Sequence, residues 1–264
     1  MDKEYARLIN LGDLSSLFQC KNGYLDESDC SWYHENWLFL RALGLVSNPF
    51  WHEEFYIGNL SNQKQTDVRL LVLGTADFSM PFVCEKAGIK NITVCDICQT
   101  PLNICRNVSD KYNYSWKTIR ADIFDYEFEK YDYVVNDAFI SRFPYSQKRI
   151  VFEKIHNALN HNGKYITTMR HGWNEGNPIL ASEKDKEDFV LRALTNASKC
   201  SFDIEKTKAG AKDYINKIIS YPIKDVEMIK DLISDLFMID SIESAFVSGE
   251  CAPTEYYRIV FRKI

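Results

Sequence analysis

The chain lacks any apolar run near the roughly 18 residues that cross a bilayer, so no membrane-spanning helix is expected in its 264 residues. Its start, MDKEYARLIN, carries acids where a secretion signal would be basic and then apolar, which points to the cytoplasm. Clustered positive charge is missing as well: Lys and Arg are spread thinly under a net charge of -5. Phosphate contacts need such clusters, so extended nucleic acid is excluded as the default partner and a small molecule takes its place. The eight cysteines are scattered, without the dense framework of a small secreted domain, and reduced buried thiols are expected rather than disulfides. Repeats and low-complexity tracts are absent.

What remains, with 45% hydrophobic residues, can bury the core of one large domain with an appendage. Residues 1–60 hold no convincing strand and read as helices over about 2–19, 32–43 and 48–59. Ser31 suits the N-cap of the second and Pro49 the first turn of the third. Tyr33, Trp37 and Leu40 lie at i, i+4 and i+7 and give the second helix an aromatic face. The polar stretch SNQKQTD, 61–67, separates this helical cap, 1–66, from a main domain over 67–264.

From Val68 short apolar runs alternate with helical stretches, the pattern of a parallel sheet covered on both faces. Strands are expected at 68–74, 91–96, 116–120, 131–136 and 163–169, and helices at 79–88, 100–112 and 145–161, the last closed by Asn162-Gly163. A helical insertion spans about 180–236, with segments at 181–198, 207–219 and 224–236 and no strand between them. FMIDSIESAFV and EYYRIVFRKI then close the chain as an antiparallel pair. The fold class is α/β: a doubly wound, seven-stranded, mostly parallel, Rossmann-like sheet with an antiparallel last strand and an N-terminal helical cap.

The chemistry concentrates at VRLLVLGTADFSMPF, 68–82, followed 22 residues beyond Gly74 by Asp96 at the end of ITVCD. Strand, glycine turn, helix and a second strand ending in a carboxylate describe a nucleotide-binding βαβ unit. Gly74 lets the backbone turn beneath the ligand, and Asp96 can accept from both hydroxyls of a ribose. Ala76 and Phe78 stand where two further glycines would serve a pyrophosphate. Asn136 and Asp137 end the fourth strand, at the edge where open α/β sheets bind ligands.

This run of motifs resembles the class I S-adenosylmethionine (SAM) dependent methyltransferases. VRLLVLGTADFS is similar to their first SAM-binding motif, TVCDIC to the acidic second-strand motif and RADIFDY to the adenine-contact segment. YDYVVNDAF resembles the substrate-facing fourth strand, and NALNHNGKYITTMR the helix, turn and fifth strand. Within the superfamily, the GTAD turn, DICQTPL and GECAPTEYYR resemble a bacterial group with a GSAD-type loop. Over about 68–264 the resemblance implies SAM as cofactor, held by Gly74, Ala76, Asp96, Ile97 and Asn136. It further places Asp122, beside the Ile123 amide, at the adenine amino group. Asp77 would approach the methionine amino group, or else cap the helix near Ser79.

The implied activity is metal-independent methyl transfer to a nitrogen or oxygen of a small molecule. A nicotinamide dehydrogenase, a SAM enzyme without methyl transfer, and a non-catalytic SAM-binding scaffold or sensor stay open as alternatives. Asp137, His171 and His34 are the candidate general bases, and Tyr33, Trp37, Phe139, Arg170 and Trp173 the candidate substrate contacts. The fifth strand ends in Arg170 and His171 rather than carboxylates, which argues against a metal-dependent O-methyltransferase. Cys95 and Cys98 form a C-x-x-C around Asp96, but no second pair or suitably spaced His accompanies them, so no metal is expected.

Overall fold

A computed structural model describes residues 14–20, 30–60, 67–200, 202–247 and 254–264. Most of the helix expected over 2–19 lies outside the described residues, and the part within them is a 3-10 turn, Leu14–Leu17. Helix α1, Ser31–Ala42, starts one residue early, so the capping position falls to Cys30, whose side chain makes no cap hydrogen bond. A second 3-10 turn, Pro49–His52, leads into α2, Glu53–Leu60; Asn48 opens it by accepting from the Phe50 amide at 2.9 Å.

The wound part comprises β1 (Arg69–Leu73), α3 (Ser79–Lys86), β2 (Asn91–Asp96), α4 (Gln99–Tyr112), β3 (Lys117–Arg120), β4 (Tyr131–Asp137), α5 (Tyr145–Ala158) and β5 (Leu159–Arg170). The insertion follows as β6 (Ile179–Leu180), α6 (Glu183–Cys200), α7 (Ile204–Lys217), β7 (Ile219–Ser220) and α8 (Val226–Ile233). Strands β8 (Phe237–Val247) and β9 (Thr254–Lys263) complete the sheet, whose order is β3-β2-β1-β4-β5-β9-β8. Strand β9 runs antiparallel to both of its neighbours, slotted between β5 and β8.

Strand β1 reads RLLVL without polar alternation because both of its faces are covered. Leu70 and Val72 join the core beneath α2, α3 and α4, whereas Leu71 and Leu73 join the one beneath α5 and α8. Successive side chains on a strand point to opposite faces, which divides the run in this way. A third cluster packs Trp37 and Leu40 of α1 against Phe189 of α6 and Tyr214 and Ile215 of α7. The aromatic face of the cap is therefore buried against the insertion. Between β1 and β4 the strand order reverses, and such a reversal opens a crevice at the strands' carboxyl ends.

Two expectations are corrected. Helix α5 ends at Ala158 rather than 161, and Asn162-Gly163 lies inside β5, whose pairing with β4 shifts between Tyr131 and Tyr133. With Asn162 at φ 59°, the pair shapes a bulge in the strand instead of a helix C-cap. The insertion also contains a strand between its helices: β7 pairs antiparallel with β6, each only two residues long and too short to leave a periodic signal.

Candidate active site

The GTAD turn leaves β1 at the crevice. Gly74 has φ +70°, and a Cβ on it would lie 2.2 Å from ring atoms of Phe139, so an aromatic ring claims the space above its α-carbon. The Gly74 amide donates to the Cys95 carbonyl at 2.8 Å. Next to it, the Thr75 amide donates to Asp96 Oδ2 at 3.0 Å, while Asp96 Oδ1 accepts from the Cys98 amide at 2.8 Å. One carboxylate thus ties together the turns that follow β1 and β2. Burial pushes Asp96 up to about 6, against the pull of His34 and of these amides.

Asp77 does not reach the ligand crevice. It is fully buried, its Oδ1 accepts from the Ser79 amide at 2.8 Å, and Arg41 Nη1 pairs with the same oxygen at 2.8 Å. Arg41 also donates through Nε to the Ser47 carbonyl at 2.6 Å and through Nη1 to Ser79 Oγ at 2.7 Å. Of the two expected roles, holding the first turn of α3 is the one the geometry matches. The pair also fastens the end of α1 to the glycine turn.

Across the crevice β4 ends in Asn136 and Asp137. Asn136 is buried below the cavity, accepting from Thr167 Oγ1 at 2.6 Å and Tyr165 OH at 3.1 Å, so it supports the site without facing it. Asp137 does line the cavity, with Oδ2 accepting from Ser47 Oγ at 2.8 Å and Oδ1 from Thr168 Oγ1 at 2.6 Å. Ala138 follows at φ 53°, a left-handed conformation that costs a non-glycine residue about 1 kcal/mol. That turn brings Phe139 back over Gly74.

The cavity measures about 550 Å³. Its sheet edge offers Gly74, Ala76, Asp96 and Ile97; α1 contributes Tyr33, His34 and Trp37; and Phe139, Arg170 and His171 complete the expected set that the fold brings together. Three other expected residues lie off its walls. Asp122 Oδ1 instead holds the turn after β3 by accepting from the Phe124 amide at 2.9 Å, and Ile123 is buried in the core. Trp173 is 43% exposed and packs on Tyr145 and Lys224.

Three further residues that line the cavity escaped the sequence reading. Ser47 fixes Asp137, as above. Arg142, at the end of the 3-10 turn Phe139–Arg142, lies over the Tyr33 ring at 5.1 Å and lines the cavity. Glu255 on β9 places Oε2 2.9 Å from His171 Nδ1. A carboxylate only accepts, so in the neutral ring Nδ1 carries the hydrogen and Nε2 keeps the lone pair. The one signal for Glu255 is its place in the GECAPTEYYR segment.

No protein-family model matches the chain, and comparison with curated proteins yields no match. Solved structures match in fold. The N-methyltransferase NodS of Bradyrhizobium japonicum WM9, in complex with S-adenosylhomocysteine (SAH), is 13% identical with a TM-score of 0.53, covering 88% of this chain and 98% of that one. A SAM-dependent methyltransferase from Mesorhizobium loti is 14% identical with a TM-score of 0.53, over 80% of this chain and 98% of that one. Phosphoethanolamine N-methyltransferase 2 of Haemonchus contortus, with SAH and phosphomonomethylethanolamine, is 14% identical with a TM-score of 0.56, over 88% of this chain and 58% of that one. The chain has the Rossmann-like fold of SAM-dependent methyltransferases.

Proposed function

We propose that the protein transfers the methyl group of SAM to a nitrogen or oxygen of a small molecule without a catalytic metal. The observation that carries this reading is the Gly74–Asp96 junction. There a glycine turn and a half-buried carboxylate, joined by backbone hydrogen bonds, open onto a 550 Å³ cavity at the reversal of the strand order. Ligand pockets of roughly 300–1,000 Å³ are typical for small molecules. The residues fit the cofactor. A carboxylate has about four lone-pair positions, and the two that Asp96 gives to the Thr75 and Cys98 amides leave others for ribose hydroxyls. Ala76 and Ile97 add apolar wall, and the turn lacks the extra glycines a pyrophosphate would need. The NodS and Haemonchus contortus structures, which share this fold, both contain SAH.

When bound, the cofactor supplies an electrophilic methyl group on a sulfonium. The chain's own residues position the acceptor and take its proton. Asp137, held by Ser47 and Thr168, presents fixed oxygen acceptors that orient an amine or hydroxyl, and such positioning accounts for several kcal/mol of barrier. His171, tied through Nδ1 to Glu255, keeps Nε2 as a base for an oxygen acceptor; a neutral amine needs none. Phe139 gives the cavity an aromatic face suited to a cation, and α1 with α6 and α7 excludes water. Strand β5 ends in Arg170, with His171 next, where a metal-dependent O-methyltransferase would need carboxylate ligands, and this supports metal-free transfer.

Isothermal titration tests the cofactor. SAH binds with a Kd of about 10 μM or tighter, Asp96→Ala weakens it at least about tenfold, and NADH does not compete. Absence of SAH binding below millimolar, or NADH binding in its place, overturns the reading. Labelled SAM with a metabolite extract then identifies the acceptor.

A further inference from the structure

Cys20, Cys30, His34 and Cys98 converge beside the site, their potential ligand atoms all within 4.8 Å of one another. They come from three parts of the chain. Cys20 follows the first 3-10 turn, Cys30 and His34 bracket the start of α1 at i and i+4, and Cys98 directly precedes α4. We infer that these four side chains form a structural zinc site of the Cys3His type, which latches the N-terminal segment and the cap helix onto the nucleotide-binding unit.

The spacing matches a shared ion. Tetrahedral zinc with Zn–S bonds of about 2.3 Å holds its sulfurs about 3.8 Å apart. Cys98 Sγ lies 3.6 Å from Cys30 Sγ and 3.8 Å from Cys20 Sγ. A disulfide would need about 2.05 Å. Three thiolates and an imidazole form a soft ligand set that suits zinc and rejects calcium or magnesium.

The surroundings favour thiolates. Cys30 and Cys98 hold the N-cap positions of α1 and α4, so the positive ends of two helices face the cluster. Thr100 Oγ1 accepts from the Gln19 amide at 2.8 Å and lies 3.0 Å from Cys20 Sγ, which leaves the hydroxyl hydrogen for the sulfur. His34 is only 7% exposed, and its Nδ1 has no hydrogen-bond partner among the described residues. Binding is a proton exchange without redox change: the thiols release their protons to solvent and four coordinate bonds form, giving a site of net charge −1 with neutral His34. His34 is then a ligand and not a general base. Cys95, the other half of the C-x-x-C, takes no part, since its Sγ turns to the Ala121 carbonyl at 3.9 Å. The sequence reading set zinc aside because it sought a partner for that pair, whereas the fold supplies partners for Cys98 alone.

The test is metal analysis of the full chain, purified with neither chelator nor an affinity metal, followed by stripping and titration with cobalt(II). About one zinc per chain is expected, and cobalt then shows the intense d–d and thiolate charge-transfer absorption of a tetrahedral, sulfur-rich site. Cys98→Ser and His34→Ala lose the metal, while Cys95→Ala retains it. The cobalt titration uses the unaltered chain and does not depend on any variant folding. Less than about 0.1 metal per chain together with a featureless cobalt titration overturns the assignment, as does a disulfide joining Cys20 to Cys30 or Cys98 in the freshly purified protein. The readout is independent of methyl transfer, so it fails or succeeds separately from the proposed activity.

Discussion

Neutralising Asp77 will loosen the cap from the glycine turn while leaving the ligand contacts in place. The side chains of Arg41 and Asp77 are 5% and 0% exposed, so neither charge can exchange its partner for water. Removing one member of a buried pair costs about 3–5 kcal/mol, chiefly because the other is left charged and dry. In Asp77→Asn the amide oxygen still accepts from the Ser79 amide, and Arg41 keeps its bonds to Ser47 and Ser79, which sets the expected loss near the lower end, about 3 kcal/mol. Arg41→Met removes donors at both Nε and Nη1 and costs about 4 kcal/mol. The double variant Arg41→Met/Asp77→Asn has no unpaired charge to bury and also costs about 4 kcal/mol, well short of the sum. Urea unfolding followed by circular dichroism measures all three; for Asp77→Asn the loss corresponds to about 8 °C in Tm. SAH affinity of Asp77→Asn, measured in the cold where the fold is populated, stays within about fivefold of the unaltered chain. Strict additivity refutes the ion-pair argument. A variant with unchanged stability and SAH binding weakened more than about tenfold would return Asp77 to the cofactor.

Gly74→Ala forces a side chain into a +70° φ and 2.2 Å from the Phe139 ring, so SAH affinity falls at least about tenfold. Adding Phe139→Ala relieves the contact but not the φ, and restores stability only in part; Gly74→Ala binding SAH normally would contradict the geometry. Glu255→Gln lowers kcat about tenfold with KM within about twofold, as expected of a residue that orients His171, and an unchanged kcat disconnects it. Burial pushes the Lys148 ammonium down to about 7, against donor bonds of 2.6 Å to the Ile140 and Tyr221 carbonyls. Between that value and the unfolded value of about 10.4 the unfolded chain binds the extra proton, so stability rises with pH; relative to Lys148→Met it gains about 1 kcal/mol from pH 7 to 8, and a flat or falling difference in urea unfolding refutes this. Backbone amides of α6 and α7 exchange hydrogen faster than those of α1, measured by mass spectrometry on the unliganded chain; equal protection would contradict the argument that α1 is pinned at both ends.

The sheet was legible because burial on both faces writes itself into composition: LLVL in β1 and YVV in β4 are continuous apolar runs, the first followed by Gly74 and the second by Asn136 and Asp137. Gly74 and Asp96 were legible for the same reason, the first lying one step past β1 and the second ending β2. Asp77 was not, because what decides between capping and ligand contact is an arginine 36 residues earlier, brought alongside only by the packing of α1. Ala138 carries no mark of its left-handed backbone, since the sequence preference there is for glycine or asparagine and the residue is neither. Asn162-Gly163 has the composition of a helix stop and of a bulge alike, and only the pairing with Tyr131 and Tyr133 separates them. The sulfur cluster spans 78 residues from Cys20 to Cys98, so no local spacing rule could find it.

Those same long-range contacts decide which part of the molecule can open. Helix α1 is held at its carboxyl end by Arg41 to the turn after β1, and at its amino end Cys30 and His34 meet Cys98 in the turn after β2. Asp96 bonds to the amides of both turns, so this carboxylate and the two anchorages of the cap form one connected network. A helix fixed at two points about 10 Å apart cannot swing as a lid without breaking one of them, and Arg41 and Asp77 at one end and His34 and Cys98 at the other are buried. The insertion is held differently. It meets α1 through side-chain packing, with the Tyr214 ring 5.5 Å from that of Trp37 and the Phe189 ring stacked on Tyr214, and neither contact buries a charge pair. Parting such a surface costs the area re-exposed, recovered on closure, whereas parting Arg41 from Asp77 strands two charges. Opening of the cavity is therefore expected at α6 and α7, with the cap as the wall against which they pack.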